Sequence, residues 1–250
     1  MAKGTQAHPR LAEVVDIRTR THVESGPSAP ARVSLAPSDF AFLWDECPRC
    51  FHLKVVRKEG RPRMPFPKVF GTIDLAMKTF YLGRPTEVVA DGMPAGVINQ
   101  ADRWVRSAGL TLPGSSVVSE LRGSLDALVH CDDGTVAVVD FKTAKPKADH
   151  AATYSRQLHA YALALEQPFS GPAATVSALG LLCFLPDSFG GDAETAALTG
   201  QVEWLGIERD DPSFFRFLIE VASVLDADNP PPASTTCSWC RWKADSLAAS

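Results

Sequence analysis

Two spacings of apolar residues divide this chain into its elements. From Thr153 to Glu166, Tyr154, Leu158, Tyr161, Ala162 and Leu165 recur at three- and four-residue intervals, which predicts an amphipathic helix. Between Val117 and Lys142 the pattern is that of a β-hairpin, whose second strand carries the continuous apolar run Val136-Ala137-Val138-Val139. Val176 to Phe184 reads as a buried strand, and Gln201 to Ile207 alternates like an edge strand. Cys131 and Cys183 fall in these apolar runs and read as small core residues. Pro212 opens an amphipathic helix through Leu225, and Pro230-Pro231-Pro232 stiffens the chain beyond it. Nearer the N-terminus, Ser38 is placed to cap a helix over Asp39 to Glu46. A second helix runs from about Gly71 to Tyr81, and Val97 to Ser107 reads as irregular and partly helical. Strands interleaved with helices predict an α/β fold.

The hairpin has a register that can be counted. Asp132-Asp133-Gly134 forms a three-residue loop with Gly134 in the left-handed position. Pairing outward from residue 133 sets Asp126 opposite Asp140. Directly opposed residues have Cβ atoms roughly 4.5–5.5 Å apart. Two carboxylates that close repel unless a cation joins them. Lys142, two residues past Asp140, shares its sheet face. A two-residue loop would instead put the carboxylates on opposite faces. Glu120, three residues before Gly123, is a weaker acid candidate that reads as facing solvent.

Composition narrows the setting. With 250 residues, 45% of them hydrophobic, the chain can bury one large core, assigned to residues 33–250. Residues 1–32 are polar and mixed and read as a flexible tail. No apolar run is long enough for a membrane span, and no signal-peptide pattern stands at the start. The net charge of −4 argues against a protein that coats nucleic acid generally. One stretch departs from that balance: Arg49, Lys54, Arg57, Lys58, Arg61, Arg63 and Lys68 stand against Glu59 alone. Within this basic arm Arg57, Lys58, Arg61 and Arg63 are candidate contacts to a phosphate backbone.

Four of the six cysteines form two pairs, Cys47-Pro48-Arg49-Cys50 and Cys237-Ser238-Trp239-Cys240. Paired C-x-x-C segments suit a tetrahedral thiolate site, for zinc or an iron–sulfur cluster. Neither pair sits at a strand-to-helix junction, so a redox dithiol is disfavoured. Clustered cysteines without a disulfide pattern fit a reducing cytoplasm.

Gly123-x-x-Asp126, then Asp140-x-Lys142, then Gln157-x-x-x-Tyr161 resemble the core motifs of the PD-(D/E)XK nuclease superfamily, in its RecB-like branch. The resemblance implies a restriction-endonuclease-like mixed β-sheet flanked by helices. It implies that Asp126 and Asp140 bind Mg²⁺ or Mn²⁺, that Lys142 positions or activates the attacking water, and that Gln157 and Tyr161 support the site. Where the family often has a further histidine ligand on an upstream helix, this chain has Asp74. Some RecB-like nucleases hold a [4Fe–4S] cluster by one early and three late cysteines; here the division is two and two, with Ser246 at the last family position. The expected activity is divalent-metal-dependent hydrolysis of DNA, with a helicase or another repair or defence protein as partner. The alternative is a non-cleaving nucleic-acid-binding subunit that keeps the fold.

Overall fold

The computed structural model describes residues 32–62, 65, 67–145 and 148–248. In chain order the elements are β1 (Arg32–Leu35), α1 (Pro37–Asp39), continued by a π-helical turn Phe40–Trp44, α2 (Pro48–Val55), α3 (Lys68–Tyr81), β2 (Gly96–Arg106), β3 (Leu110–Thr111), β4 (Val118–Cys131), β5 (Val136–Lys142), α4 (Ala148–Glu166), β6 (Val176–Gly191), β7 (Ala196–Ile207), α5 (Asp211–Leu225) and α6 (Ser238–Ala248). Among the described residues seven strands form one mixed sheet, ordered β1-β4-β5-β6-β7, with β2 and β3 also pairing with β4. This is the mixed sheet flanked by helices expected of a restriction-endonuclease-like fold. The tail assigned to the N-terminus lies outside the described residues, except that Arg32 already begins β1.

The counted hairpin register holds. Ala127 pairs with Val139, Leu128 with Val138, Val129 with Ala137 and His130 with Val136. Gly134 closes the loop at φ 81° and donates its N–H to the Cys131 carbonyl.

β4 organises the sheet. Along one edge it pairs with β3 and then with β2, from Thr111↔Val118 to Gly96↔Cys131. Along the other it pairs first with β1, as far as Leu35↔Leu121, and then with β5, from Ala127↔Val139 onward. Residues 122–126 therefore face a gap between β1 and β5. Gly123 sits in that gap. A Cβ there would stand 3.1 Å from Pro37 Cδ and 3.4 Å from a Tyr161 ring carbon, so glycine permits this close approach.

Two apolar layers cover the sheet. Leu121, Leu125 and Val138 pack with Leu158 and Tyr161 of α4 and with Phe217 and Leu218 of α5. On the other side Ala127, Val129, Ala137, Val139 and Phe141 pack with Met77 and Tyr81 of α3.

Four expectations are corrected. The first helix begins at Pro37 with Ala36 at its cap position, not at Ser38, because proline at the first turn presets the helical φ. Val97 to Ser107 is strand, not helix: a bulge between Ile98 and Gln100 and a left-handed Asp102 (φ 50°) break the alternation that would have shown it. The β6–β7 hairpin runs past Phe184 and starts before Gln201, through residues whose proline and glycines read as breakers. Glu120 does not face solvent. It is buried, and its carboxylate takes Arg106 at 2.7 and 3.0 Å and Arg32 at 3.0 Å.

Burial alone would raise the Glu120 pKa, but the hydrogen bonds from Arg106 and Arg32 overcome it and hold the carboxyl below its usual 4.5. A depressed acid contributes stability that is present at neutral pH and lost as pH falls through its folded value. Glu120→Gln is expected to cost about 1 kcal/mol at pH 7, since both arginines are partly solvated. Chemical unfolding at stepwise lower pH should show the deficit shrinking below pH 4.5. A deficit that stays constant to pH 3 would contradict it.

Candidate active site and cysteine centre

β4, β5, α3 and α4 meet at the gap in the sheet. Carried one residue beyond its last ladder pair, the register sets Asp126 opposite Asp140. Just past the end of the ladder, Asp126 Oδ2 accepts the Phe141 N–H at 2.9 Å. Asp140 ends an apolar run and is 4% exposed. Its Oδ1 accepts from Gln157 Nε2 at 3.1 Å, and its Oδ2 faces the Lys142 ammonium. Tyr161, one helical turn beyond Gln157, donates its hydroxyl to the Ser124 carbonyl at 2.7 Å. The five residues singled out by motif thus converge, with Gln157 on an acid and Tyr161 on the backbone that carries the other.

Burial pushes the Asp140 carboxyl up to about 7; Lys142 opposes this, and the neighbouring Asp126 adds to it. For Lys142, burial works against the charge, but the adjacent Asp140 outweighs it and the ammonium is held above its usual range. The Lys142 Nζ also stands 4.6 Å from the centre of the Tyr154 ring. A lysine so held is a fixed positive charge rather than a base.

Asp74 does not reach the Asp126–Asp140 pair directly. It contacts Lys78 Nζ at 2.8 Å, and the same ammonium contacts Asp102 Oδ1 at 2.7 Å and Asp126 Oδ1 at 2.9 Å. The sequence reading missed Lys78 and Asp102. An acid and a lysine four apart on a helix were legible as a pair; Asp102 was hidden in the segment mistaken for irregular.

The donor set suits a hard divalent cation. Asp126 and Asp140 offer carboxylate oxygens on neighbouring strands. Gln157 Oε1 is buried beside them without a hydrogen-bond partner, an acceptor that an ion or its water would satisfy.

The second centre lies where the start of α2 and the start of α6 meet. Cys50 Sγ stands 3.4 Å from Cys240 Sγ and 3.7 Å from Cys237 Sγ, and Cys47 Sγ is 3.8 Å from Cys240 Sγ. All four sulfurs lie within 4.8 Å of one another. Around one tetrahedral ion at about 2.3 Å, thiolates stand about 3.8 Å apart, so the spacing fits a single ion. An iron–sulfur cluster, with each thiolate on a separate iron, needs a wider set. Burial acts against the Cys47 thiolate, but hydrogen bonds from the Ser234 and Cys50 backbone lower it to about 7.

The basic arm serves this junction. Arg49 donates to the Pro231 carbonyl at 3.2 Å, Arg57 to that of Asp228 at 3.5 Å, and His52 Nε2 lies 3.1 Å from that of Ala227. Arg61 spans Glu46 and Cys237, donating to the sulfur at 3.1 Å. Lys58 is exposed with its ammonium on the Val55 carbonyl, and Arg63 lies outside the described residues. Lys58 also lines a cleft of about 290 Å³ with Trp104 and Arg122.

The family model of the PD-(D/E)XK nuclease superfamily matches residues 84–244, well over half of the chain. The match begins after α3, so Asp74, Lys78 and the first cysteine pair lie upstream of it. Among solved structures the chain is similar to the one titled "Crystal structure of SSO0001", at 14% identity and a TM-score of 0.42, over 79% of each chain. No curated protein matches.

Proposed function

The chain belongs to the PD-(D/E)XK nuclease superfamily, and from that premise we propose that it is a divalent-metal-dependent nuclease acting on DNA. The observation that carries the reading is the convergence of Asp126, Asp140 and Lys142 at one gap in the sheet, with Gln157 braced against Asp140. Asp126 and Asp140 would hold a Mg²⁺ or Mn²⁺ ion, which when bound would supply Lewis-acid polarisation and lower the pKa of a water. Lys142 sets a positive charge beside the phosphate, where negative charge grows as the phosphodiester is attacked. Gln157 fixes the Asp140 carboxylate, and Tyr161 fixes the β4 backbone that carries Asp126.

The substrate path is read from the surface next to the acids. Trp104 is 60% exposed and lies two residues along β2 from Asp102, with the Arg122 guanidinium 5.1 Å from its ring centre. Such a pair offers a base-stacking surface and a phosphate contact. Lys58 lines the same cleft, and Arg57 is exposed one residue before it. Arg61 is committed to the cysteine centre, where we assign a structural zinc ion. Thiols kept free for a metal fit a reducing cytoplasm.

The test is cleavage of end-labelled single- and double-stranded DNA by the purified chain with Mg²⁺, Mn²⁺ or EDTA. Cleavage with either metal, absent in EDTA and absent in Asp140→Asn, supports the reading. DNA binding by wild type without cleavage of any substrate would overturn it in favour of the non-cleaving subunit.

A further inference from the structure

We propose that Lys78 is a resident cation of the active centre: its ammonium fills the side of Asp126 where a second metal ion would sit, so the centre loads one divalent ion, between Asp126 and Asp140. The proposal rests on the metal-dependent reading of the site given above.

Lys78 is 8% exposed and brings an ammonium with three N–H bonds to three carboxylates. The partners come from three different elements: Asp74 on α3 at 2.8 Å, Asp102 on β2 at 2.7 Å and Asp126 on β4 at 2.9 Å. Its hydrogen bond goes to Asp102, and the carboxylates of Asp74 and Asp126 complete the negative shell around it. Asp102 reaches it from a left-handed residue inside a strand, at φ 50°. Conformations of that kind are unfavourable for a residue with a side chain and persist where surrounding contacts hold them.

Asp126 is the shared element. Its Oδ1 is taken by Lys78 and its Oδ2 by the Phe141 N–H, so each oxygen already has one donor. In two-metal centres the ions stand about 3.5–4 Å apart and clamp the attacking and leaving oxygens. Here a buried ammonium occupies one flank of the carboxylate on which such a pair would be built. Lys78 is a positioning residue on this account: it holds Asp126 and blocks a second ion.

Mn²⁺ binding tests this without reference to cleavage, because Mn²⁺ prefers oxygen donors and leaves the thiolates aside. Electron paramagnetic resonance of the whole chain titrated with Mn²⁺ should count one bound ion, lost in Asp140→Asn. Lys78→Met should bind two. It should also melt at lower temperature than wild type in EDTA, since three carboxylates lose their counter-charge, and recover more than wild type on adding Mn²⁺. If Lys78→Met does not fold, the double variant Asp74→Asn/Lys78→Met removes one repelling acid and should still count two. Two ions in wild type, or one or none in a folded Lys78 variant, would overturn the proposal and leave the nuclease reading standing. No ion in wild type, or an ion that survives Asp140→Asn, would refute the metal reading of the site and the Lys78 proposal with it.

Discussion

Replacing Lys142 by alanine is expected to slow metal-dependent cleavage by roughly 10²–10³-fold, the scale seen when one preorganised charge-stabilising group is removed. Lys142 keeps its proton because Asp140 lies against it, so what the variant removes is a fixed positive charge rather than a base. A second effect should accompany the first. Lys142 is the group that opposes the burial-driven rise of the Asp140 carboxyl from its usual range to about 7. Without it that carboxyl rises further, a proton competes better with the metal, and the acid limb of Mn²⁺ binding moves to higher pH. Circular dichroism and DNA affinity in EDTA should stay near wild type, since Lys142 belongs to neither apolar layer. Equal cleavage by variant and wild type would show that the site lies elsewhere.

The largest loss of stability is expected at the cysteine centre. Cys47 and Cys50 stand at the start of α2, Cys237 and Cys240 at the start of α6, and their sulfurs meet within 4.8 Å. No such site exists in the unfolded chain, so metal binding adds directly to folding free energy. Apparent binding energies for structural zinc in small peptides are about 10–16 kcal/mol at neutral pH, of which this larger chain needs only a part. Cys240→Ser should lose its metal and melt well below wild type. The lost tie also frees the 227–231 segment that Arg49, His52 and Arg57 hold by its carbonyls. Colourless protein carrying one zinc per chain agrees with the sulfur spacing. A brown protein absorbing in the visible region would identify an iron–sulfur cluster, and a Cys240→Ser variant of unchanged melting temperature would contradict a shared site.

The features legible in the sequence were those set by local chemistry. The Asp132-Asp133-Gly134 loop fixes a register by its length, and everything on β4 and β5 follows from that count. Gln157 and Tyr161 were legible through the motif they resemble, with helical spacing placing them on one face. What escaped was set by tertiary partners. β2 owes its strand to pairing with β4 along its whole length, and its bulge and left-handed Asp102 erase the alternation that would have revealed it. Glu120 reads as a surface acid until Arg32 and Arg106, from two other strands, close over it. The packing partners of the basic arm were hidden as well: Arg49, Arg57 and Arg61 each donate to the C-terminal segment. Charge runs do not reveal their partners when the partners lie more than 170 residues away.

The central claim is that Asp126 and Asp140 hold one catalytic divalent cation. Anomalous diffraction from crystals grown with Mn²⁺ tests it most directly. The account predicts a single manganese peak at this centre, about 2.2 Å from a carboxylate oxygen of each aspartate, on the side of Asp126 away from Lys78. A peak elsewhere, or none between these two carboxylates at saturating Mn²⁺, would contradict it.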